Sequence, residues 1–275
     1  MALKSILVHV TDSDEAKART EAAFALAMEH DAHLTGLGVR PVAQIPGFAV
    51  SRIPEAVLRD VEGRQDAADK ASRAIFEDAA QRAGWSDRSG WQQGNGYPSD
   101  VVGLHARYAD LTVIGQKPLS GADNAEEGFA DLLVMRSGRP VLVFPYVGAQ
   151  AAIGKHVVVA WNASREAARA IGDAMPILEK SEKVDILSIE PEGIGDLPGA
   201  DIAQHLARHG INADAKRSAA NKIDAGDVLL NFVSDSGADL VVMGAYGHSR
   251  VREMVLGGVT RHMLEHMTVP VLMSH

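Results

Sequence analysis

The chain has 275 residues, of which 46% are apolar and 23% charged, and its formal net charge is −9. This length is sufficient for two ordinary hydrophobic cores, and the acidic balance excludes a general attraction to nucleic acids or anionic membranes. The absence of cysteine excludes disulfides, thiolate zinc sites, iron–sulfur clusters and a cysteine nucleophile. Because the N-terminal apolar run is too short for a signal sequence or a membrane span, we expect a cytoplasmic location.

The first predicted elements form a unit that occurs twice. Residues 6–10 predict a buried strand, which passes through a polar cap into an Ala-rich helix and then into a second apolar strand near residues 34–39. The segment 155–190 repeats this order. The charge-rich segment 52–84 predicts a long amphipathic helix between the first two units, with these residues packed inward: Val57, Val61, Ala68, Ala71, Ile75 and Ala79.

The later elements repeat as well. Residues 99–115 and 226–244 each predict a helix followed by a buried strand that stops at glycine, and each half closes on an apolar strand, 139–146 or 269–275. Continuous apolar strands that alternate with helices indicate parallel sheets covered on both faces. We therefore predict two tandem α/β sandwich domains, residues 1–147 and 154–275. Their terminal strands need covering, and pairing within one chain or between two chains would both achieve this.

A glycine-rich stretch follows the strand near residue 243. Gly244 and Gly247 fit the strand exit, and Gly257 and Gly258 fit the start of the next helix. Glycines let backbone N–H groups approach a ligand closely, and a helix N-terminus adds a positive dipole end, so this pattern is compatible with a phosphate site. The alternative is that these glycines only end a strand and begin a helix.

The first half provides an internal comparison for the glycines. Alignment of the two copies places Pro118 opposite Gly247 and Glu127 opposite Gly257, with Asp123 and Glu126 nearby. Carboxylates there would repel a phosphate. The sequence therefore predicts that only the C-terminal half binds an anion at this corner, and it suggests that ligand binding, rather than the fold, accounts for the glycines.

Together, the duplicated strand–helix units, the "ADLVVMG" segment, the G-x2-G-x9-G spacing and the terminal "PVLM" strand resemble tandem universal stress proteins. The resemblance implies a Rossmann-like fold of the adenine-nucleotide α-hydrolase type, with strand order 3-2-1-4-5 in each half. It also implies an ATP or other adenine-nucleotide site in the C-terminal half, with Mg²⁺ as an optional companion. Gly258 departs from the family pattern, which has Ser or Thr there, and Asn162 stands where the pattern has Asp.

The resemblance assigns roles to the residues of the C-terminal half. Four residues would surround the adenine: Ala160, Trp161, Ile189 and Met243. Asn162 would lie near the ribose or base. The remaining residues would form the phosphate side: Gly244, Tyr246, Gly247, His248, Arg250, Gly257, Gly258, Val259 and Thr260.

The predicted function is a stress-response protein that regulates through binding, with at most slow ATP hydrolysis. We identify no catalytic residues, because the sequence offers no nucleophile elbow and no paired carboxylates near the glycines. "HMLEH" at 262–266 formally matches a zinc-peptidase pattern but needs a further ligand. The alternative function is a scaffold of the same fold that binds no nucleotide. The two halves are expected to form an intramolecular pseudo-dimer, and a homodimer remains open.

Overall fold

The computed structural model describes residues 2–42, 54–116, 126, 128–146, 153–190, 199–219, 223–247 and 258–275. The first half contains five strands, four α-helices and one short 3-10 turn at Ser86–Arg88 within these ranges. In chain order its strands and α-helices are β1 Ser5–His9, α1 Asp14–Glu29, β2 His33–Arg40, α2 Glu55–Ala83, β3 Ser89–Asn95, α3 Pro98–Ala106, β4 Leu111–Gly115, α4 Phe129–Arg136 and β5 Val141–Phe144.

The second half repeats this alternation of strands and helices. Its elements are β6 His156–Ala160, α5 Arg165–Leu178, β7 Lys183–Glu190, α6 Ala200–Arg208, β8 Ala213–Ala219, α7 Ala225–Ser236, β9 Leu240–Gly244, α8 Val259–His266 and β10 Val271–Ser274. The duplication read from the sequence is therefore a duplication of structure.

All ten strands belong to one sheet in the order β3-β2-β1-β4-β5-β10-β9-β6-β7-β8. Each half has the predicted parallel order 3-2-1-4-5, which confirms that expectation. The halves meet where β5 and β10 pair antiparallel, with Val143 opposite Val271 and Val141 opposite Met273. The two apolar terminal strands thus cover each other within one chain.

Both faces of the sheet are covered by helices, and this explains the nearly continuous apolar strands. Because side chains alternate across a strand, Ile6 and Val8 enter one core while Leu7 enters the other. Val157 and Val158 divide in the same way in the second half. Among the described residues, no helix has the length and apolarity that crossing a membrane requires.

Helix α2 departs from the predicted packing. Val57 and Val61 are 49% and 38% exposed, and Ala71 is also exposed, whereas Phe76 and Ala79 are buried. At 1.5 Å per residue the 29-residue helix is about 43 Å long, while the eight residues of β2 span about 26 Å. The expectation that Val57, Val61 and Ala71 pack inward was wrong. The helix is much longer than the strand it covers, which accounts for Val57 and Val61 in its first turns. Ala71 lies in the packed part of the helix but outside the buried stripe that contains Phe76 and Ala79.

Candidate functional site

A cavity of about 370 Å³ opens at the carboxyl ends of β6, β7 and β9, beside the first residues of α5, α7 and α8. This is the edge at which open α/β sheets bind ligands. The predicted site residues that the structure describes all line it: Ala160, Trp161, Asn162, Ile189, Met243, Gly244, Tyr246, Gly247, Gly258, Val259 and Thr260. His248, Arg250 and Gly257 lie outside the described residues.

Four further residues line the cavity that the sequence analysis did not identify: Ser164, Leu187, Ala225 and Leu229. Leu187 lies two positions before Ile189, and so on the same face of β7. The two-residue periodicity of the strand could therefore have identified Leu187 from the sequence. Ala225 and Leu229 belong to α7, and only the three-dimensional placement of that helix over the strand ends brings them to the cavity.

The floor of the cavity is apolar. Leu187, Leu229 and Met243 are almost completely buried, and the small side chain of Ala160 leaves the space above them open. Apolar walls with few polar groups suit a flat, weakly polar group such as a nucleobase.

Polar groups lie where β6 turns into α5. The Ser164 hydroxyl oxygen accepts a hydrogen bond from the Ala167 N–H at 3.1 Å and so caps the helix. Asn162 Oδ1 accepts from the Ser164 N–H, also at 3.1 Å, across Ala163, which has a positive φ of 59°. Asn162 is exposed and lines the cavity, and its bond to Ser164 holds its side chain in this turn.

Gly244 has a packing role that the sequence comparison did not reveal. A Cβ at this position would lie 2.4 Å from both the Ala167 nitrogen and the Glu166 carbonyl carbon, which are backbone atoms of α5. At the corresponding Gly115 a Cβ would also be close to a neighbour, Arg19 Nη1 at 2.3 Å, but that atom is the end of a side chain. The expectation that ligand binding alone accounts for the glycines was therefore wrong for Gly244, since the packing of β9 against α5 leaves no room for a Cβ there.

Glu166 is a buried carboxylate beneath the glycine turn. Its Oε2 would lie 2.9 Å from a Cβ on Gly247. Burial acts to raise the pKa of the Glu166 carboxyl, but the hydrogen bond from Arg165 and a backbone N–H hold that pKa below its usual value. The charged side chain therefore occupies the first turn of α5, where a ligand anion would otherwise find free N–H groups.

The start of α8 differs from the starts of the other two helices. Asp224 caps α7 by accepting from the Gly226 N–H at 2.7 Å, and Ser164 caps α5, but α8 begins at Gly258 with no side-chain cap. The first hydrogen bond within α8 runs from the His262 N–H to the Gly258 carbonyl, at 3.1 Å. The N–H groups before His262 have no intrahelical partner, so this end of the cavity offers donors to an anion.

Tyr246 connects the strand exit to α8. Its backbone N–H donates to Thr260 Oγ1 at 3.3 Å, and its phenol donates to Asp131 Oδ1 on α4, in the other half of the chain. Tyr246 has a positive φ of 57°, which is uncommon for a residue with a large side chain. The turn at this end of the cavity is thus fixed by bonds at both its backbone and its side chain.

The equivalent corner of the first half is filled. His9 and Phe129 align with Ala160 and Val259, and their rings lie 5.3 Å apart, centroid to centroid. Burial, with a smaller contribution from the Arg19 charge, lowers the pKa of His9 to about 3, so the imidazole is neutral. Two aromatic rings therefore occupy the space that small side chains leave open in the second half.

A carboxylate also occupies a helix N-terminus in the first half. Glu126 accepts hydrogen bonds from the Ser99 N–H at 2.8 Å and from the Ser99 hydroxyl at 2.5 Å. Ser99 aligns with Gly226 beside the open cavity. Glu126 thus places negative charge at the start of α3, whereas the proposed anion end in the second half corresponds to the start of α4; Asp123 and Glu127 lie outside the described residues.

The histidines of "HMLEH" make local contacts. His262 Nε2 lies 3.0 Å from Asp227 Oδ1 on α7, and the His262 and His266 rings stack at 4.5 Å. Within the described residues, no three side chains of His, Asp or Glu are grouped so that they could hold a metal ion. The contacts of His262 join α8 to α7.

Comparison with known proteins finds sequence similarity to one protein family. The sequence model of the universal stress protein family matches residues 154–275. The universal stress protein Slr1230 of Synechocystis sp. is 30% identical over 83 residues, which are 30% of this chain and 27% of that protein. The match thus spans about a quarter of the length of that curated relative.

Solved structures share the fold over nearly the whole chain. A universal stress protein from Archaeoglobus fulgidus has a TM-score of 0.75 at 15% identity, covering 98% of this chain and 95% of that one. A functionally unknown protein from Pseudomonas aeruginosa PAO1 has a TM-score of 0.59 at 14% identity, covering 99% and 92%. Residues 154–275 therefore match the universal stress protein family, and the chain as a whole has the fold of a solved universal stress protein.

Proposed function

We propose that the C-terminal half binds an adenine nucleotide, ATP or a related one, and that the protein acts in a stress response by binding rather than by metabolic turnover. The observation that carries the proposal is one cavity that joins an apolar floor to the uncapped N-terminus of α8. The base would rest on Leu187 and Met243, and Asn162 would meet the ribose. The phosphates would accept from backbone N–H groups at Gly258 and Val259.

The two halves would divide their roles. Residues 1–147 and 154–275 are proposed as two domains of one architecture, of which only the second binds nucleotide. The contact between the His9 and Phe129 rings supports this division, because these rings fill the base position in the first half. Joined through β5 and β10, the halves would act as an intramolecular pseudo-dimer in the cytoplasm.

Mg²⁺ would be carried by the nucleotide. Mg²⁺ prefers oxygen ligands such as carboxylates, and the described residues that line the cavity include no Asp or Glu. We therefore propose binding through backbone and hydroxyl groups, with the metal coordinated by phosphates and water. The described lining residues also offer no carboxylate base, which supports slow turnover or none.

The test uses two substitutions at one position. Gly258→Asp and Gly258→Ser both introduce N-cap side chains, which stabilise a helix by roughly a few tenths of a kcal/mol relative to glycine. We expect both variants to retain or gain thermal stability. Only Asp places a negative charge at the phosphate position, so only Gly258→Asp should lose affinity for ATP, while Gly258→Ser should gain affinity through a new hydroxyl.

Calorimetric titration of the full chain with ATP, ADP, AMP, cyclic AMP and adenosine, with and without Mg²⁺, measures these affinities. Mass spectrometry of the denatured protein identifies any nucleotide it already carries. If the wild type carries none and binds none at millimolar concentration, the nucleotide proposal is wrong and the scaffold alternative stands. If ATP binds equally to both Gly258 variants, the phosphates have been placed wrongly.

A further inference from the structure

The site in the second half is bonded to a residue of the first half. We propose that Asp131 is a positioning residue for the nucleotide site, so that the site is shared between the halves even though the first half binds no ligand itself. This inference rests on the proposed function. It concerns the contact between Asp131 on α4 and the Tyr246 phenol at the cavity wall.

The backbone of Tyr246 explains why a bond to its side chain matters. A left-handed conformation is unfavourable for a non-glycine residue, so surrounding interactions must hold it. Among the contacts that do so are the bond from the Tyr246 N–H to Thr260 Oγ1 and the bond from the phenol to the Asp131 carboxylate. The second is charge-assisted and therefore the stronger kind.

The bond between Asp131 and Tyr246 affects the ligand site through Thr260. Because Thr260 Oγ1 accepts from the Tyr246 N–H, the direction of the Thr260 hydroxyl depends on where the Tyr246 turn lies. Thr260 is in the first turn of α8, at the anion end of the cavity. A shift of Tyr246 therefore moves a cavity wall and a hydroxyl together.

A second bond between the halves fixes the other end of α8. The buried Gln116 side chain follows β4, and its Nε2 donates to the Leu264 carbonyl at 2.8 Å while its Oε1 accepts from the Tyr146 N–H at 3.2 Å. Asp131 and Gln116 thus reach the second half at two places beside one helix. Asp131 bonds to Tyr246, which lines the cavity, whereas Gln116 bonds to the last turn of α8, away from the cavity.

The test compares substitutions of Asp131 and Tyr246 in the full chain. Asp131→Ala removes the acceptor, and we expect it to weaken ATP binding by about tenfold, which is the scale of a lost charge-assisted hydrogen bond. Asp131→Asn keeps an acceptor oxygen and should retain most of the affinity. Tyr246→Phe should match Asp131→Ala, and the double variant should be no weaker than either single one.

Asp100→Ala is the matched control. Asp100 lies on α3, next to α4, and forms an exposed ion pair with Arg136 at 3.4 Å. Its removal should leave the ATP affinity unchanged. Full affinity in Asp131→Ala, or additive losses in the double variant, would overturn the proposal.

A measurement without ligand separates this inference from the proposed function. In the ligand-free protein, hydrogen exchange of the Tyr246 amide should be faster in Asp131→Ala and Tyr246→Phe than in the wild type, Asp131→Asn or Asp100→Ala. If the wild type binds no ATP, the nucleotide proposal fails, and exchange alone decides the positioning role. Unchanged protection of the Tyr246 amide in Asp131→Ala would refute that role.

Discussion

Gly244 provides a sharp test of how the sheet and α5 fit together. In Gly244→Ala the new Cβ would lie 2.4 Å from the Ala167 nitrogen and 2.4 Å from the Glu166 carbonyl carbon, whereas ordinary van der Waals contacts are 3.4–4 Å. Either β9 or α5 must therefore move by about 1 Å, and neither backbone can move alone within a packed core. Overpacking of this kind costs about 1–3 kcal/mol of unfolding free energy. We expect the cost of Gly244→Ala to be near the upper value, because the atoms that the new Cβ would meet are backbone atoms.

Gly247→Ala is the matched comparison. Its Cβ would lie 2.9 Å from Glu166 Oε2, which is the far end of a side chain and not a backbone atom. We expect a cost below about 1 kcal/mol, because the end of a side chain can shift more readily than backbone atoms. Urea unfolding followed by circular dichroism measures both free energies. Equal stability of the two variants would refute the packing role assigned to Gly244.

Three further predictions follow from the site and from its filled counterpart. The double substitution Ala160→His with Val259→Phe copies the rings of the first half into the cavity, and calorimetry should show loss of nucleotide binding with cooperative unfolding retained. His9 has a folded pKa of about 3 and an unfolded value of 6.5, so only the unfolded state gains its proton as pH falls below 6.5. At pH 5 this removes about 2 kcal/mol of stability relative to pH 7, so the loss between pH 7 and pH 5 that urea titrations measure should be smaller by about this amount in His9→Gln. Asp185→Ala should cost about 3 kcal/mol by urea unfolding, since the buried Asp185 carboxylate accepts from His156 Nε2 at 2.7 Å; Asp185→Asn keeps an acceptor oxygen without the charge, so a cost as large as that of Asp185→Ala would show that the charge matters.

The repeated architecture could be predicted from the sequence because it depends on local patterns. Apolar runs ending at Gly115 and Gly244, each preceded by an amphipathic helix, occur at corresponding places in both halves, and the sheet order agrees with the order implied by the family resemblance. The choice between pairing of the terminal strands within a chain and between chains could not be made, because it depends on a contact between distant segments.

The cavity could be predicted only in part, for the same reason. Residues within the glycine motif or at the end of β6 were found, because their roles follow from position along the chain. Ala225 and Leu229 were missed, since they come from a helix that reaches the cavity only through packing. The packing constraint that excludes a side chain at Gly244 was also missed, because the crowding atoms belong to α5, some 80 residues earlier in the chain.

The bond between Asp131 and Tyr246 has a consequence for how the two halves are related. In a symmetric dimer every contact between subunits occurs twice, with the roles exchanged. Alignment of the halves places Arg261 opposite Asp131, and Lys117, which lies outside the described residues, opposite Tyr246. The exchanged pair would consist of two cations, which cannot form the same charge-assisted hydrogen bond. A fused chain permits this asymmetry, because a substitution made in one half is not copied into the other.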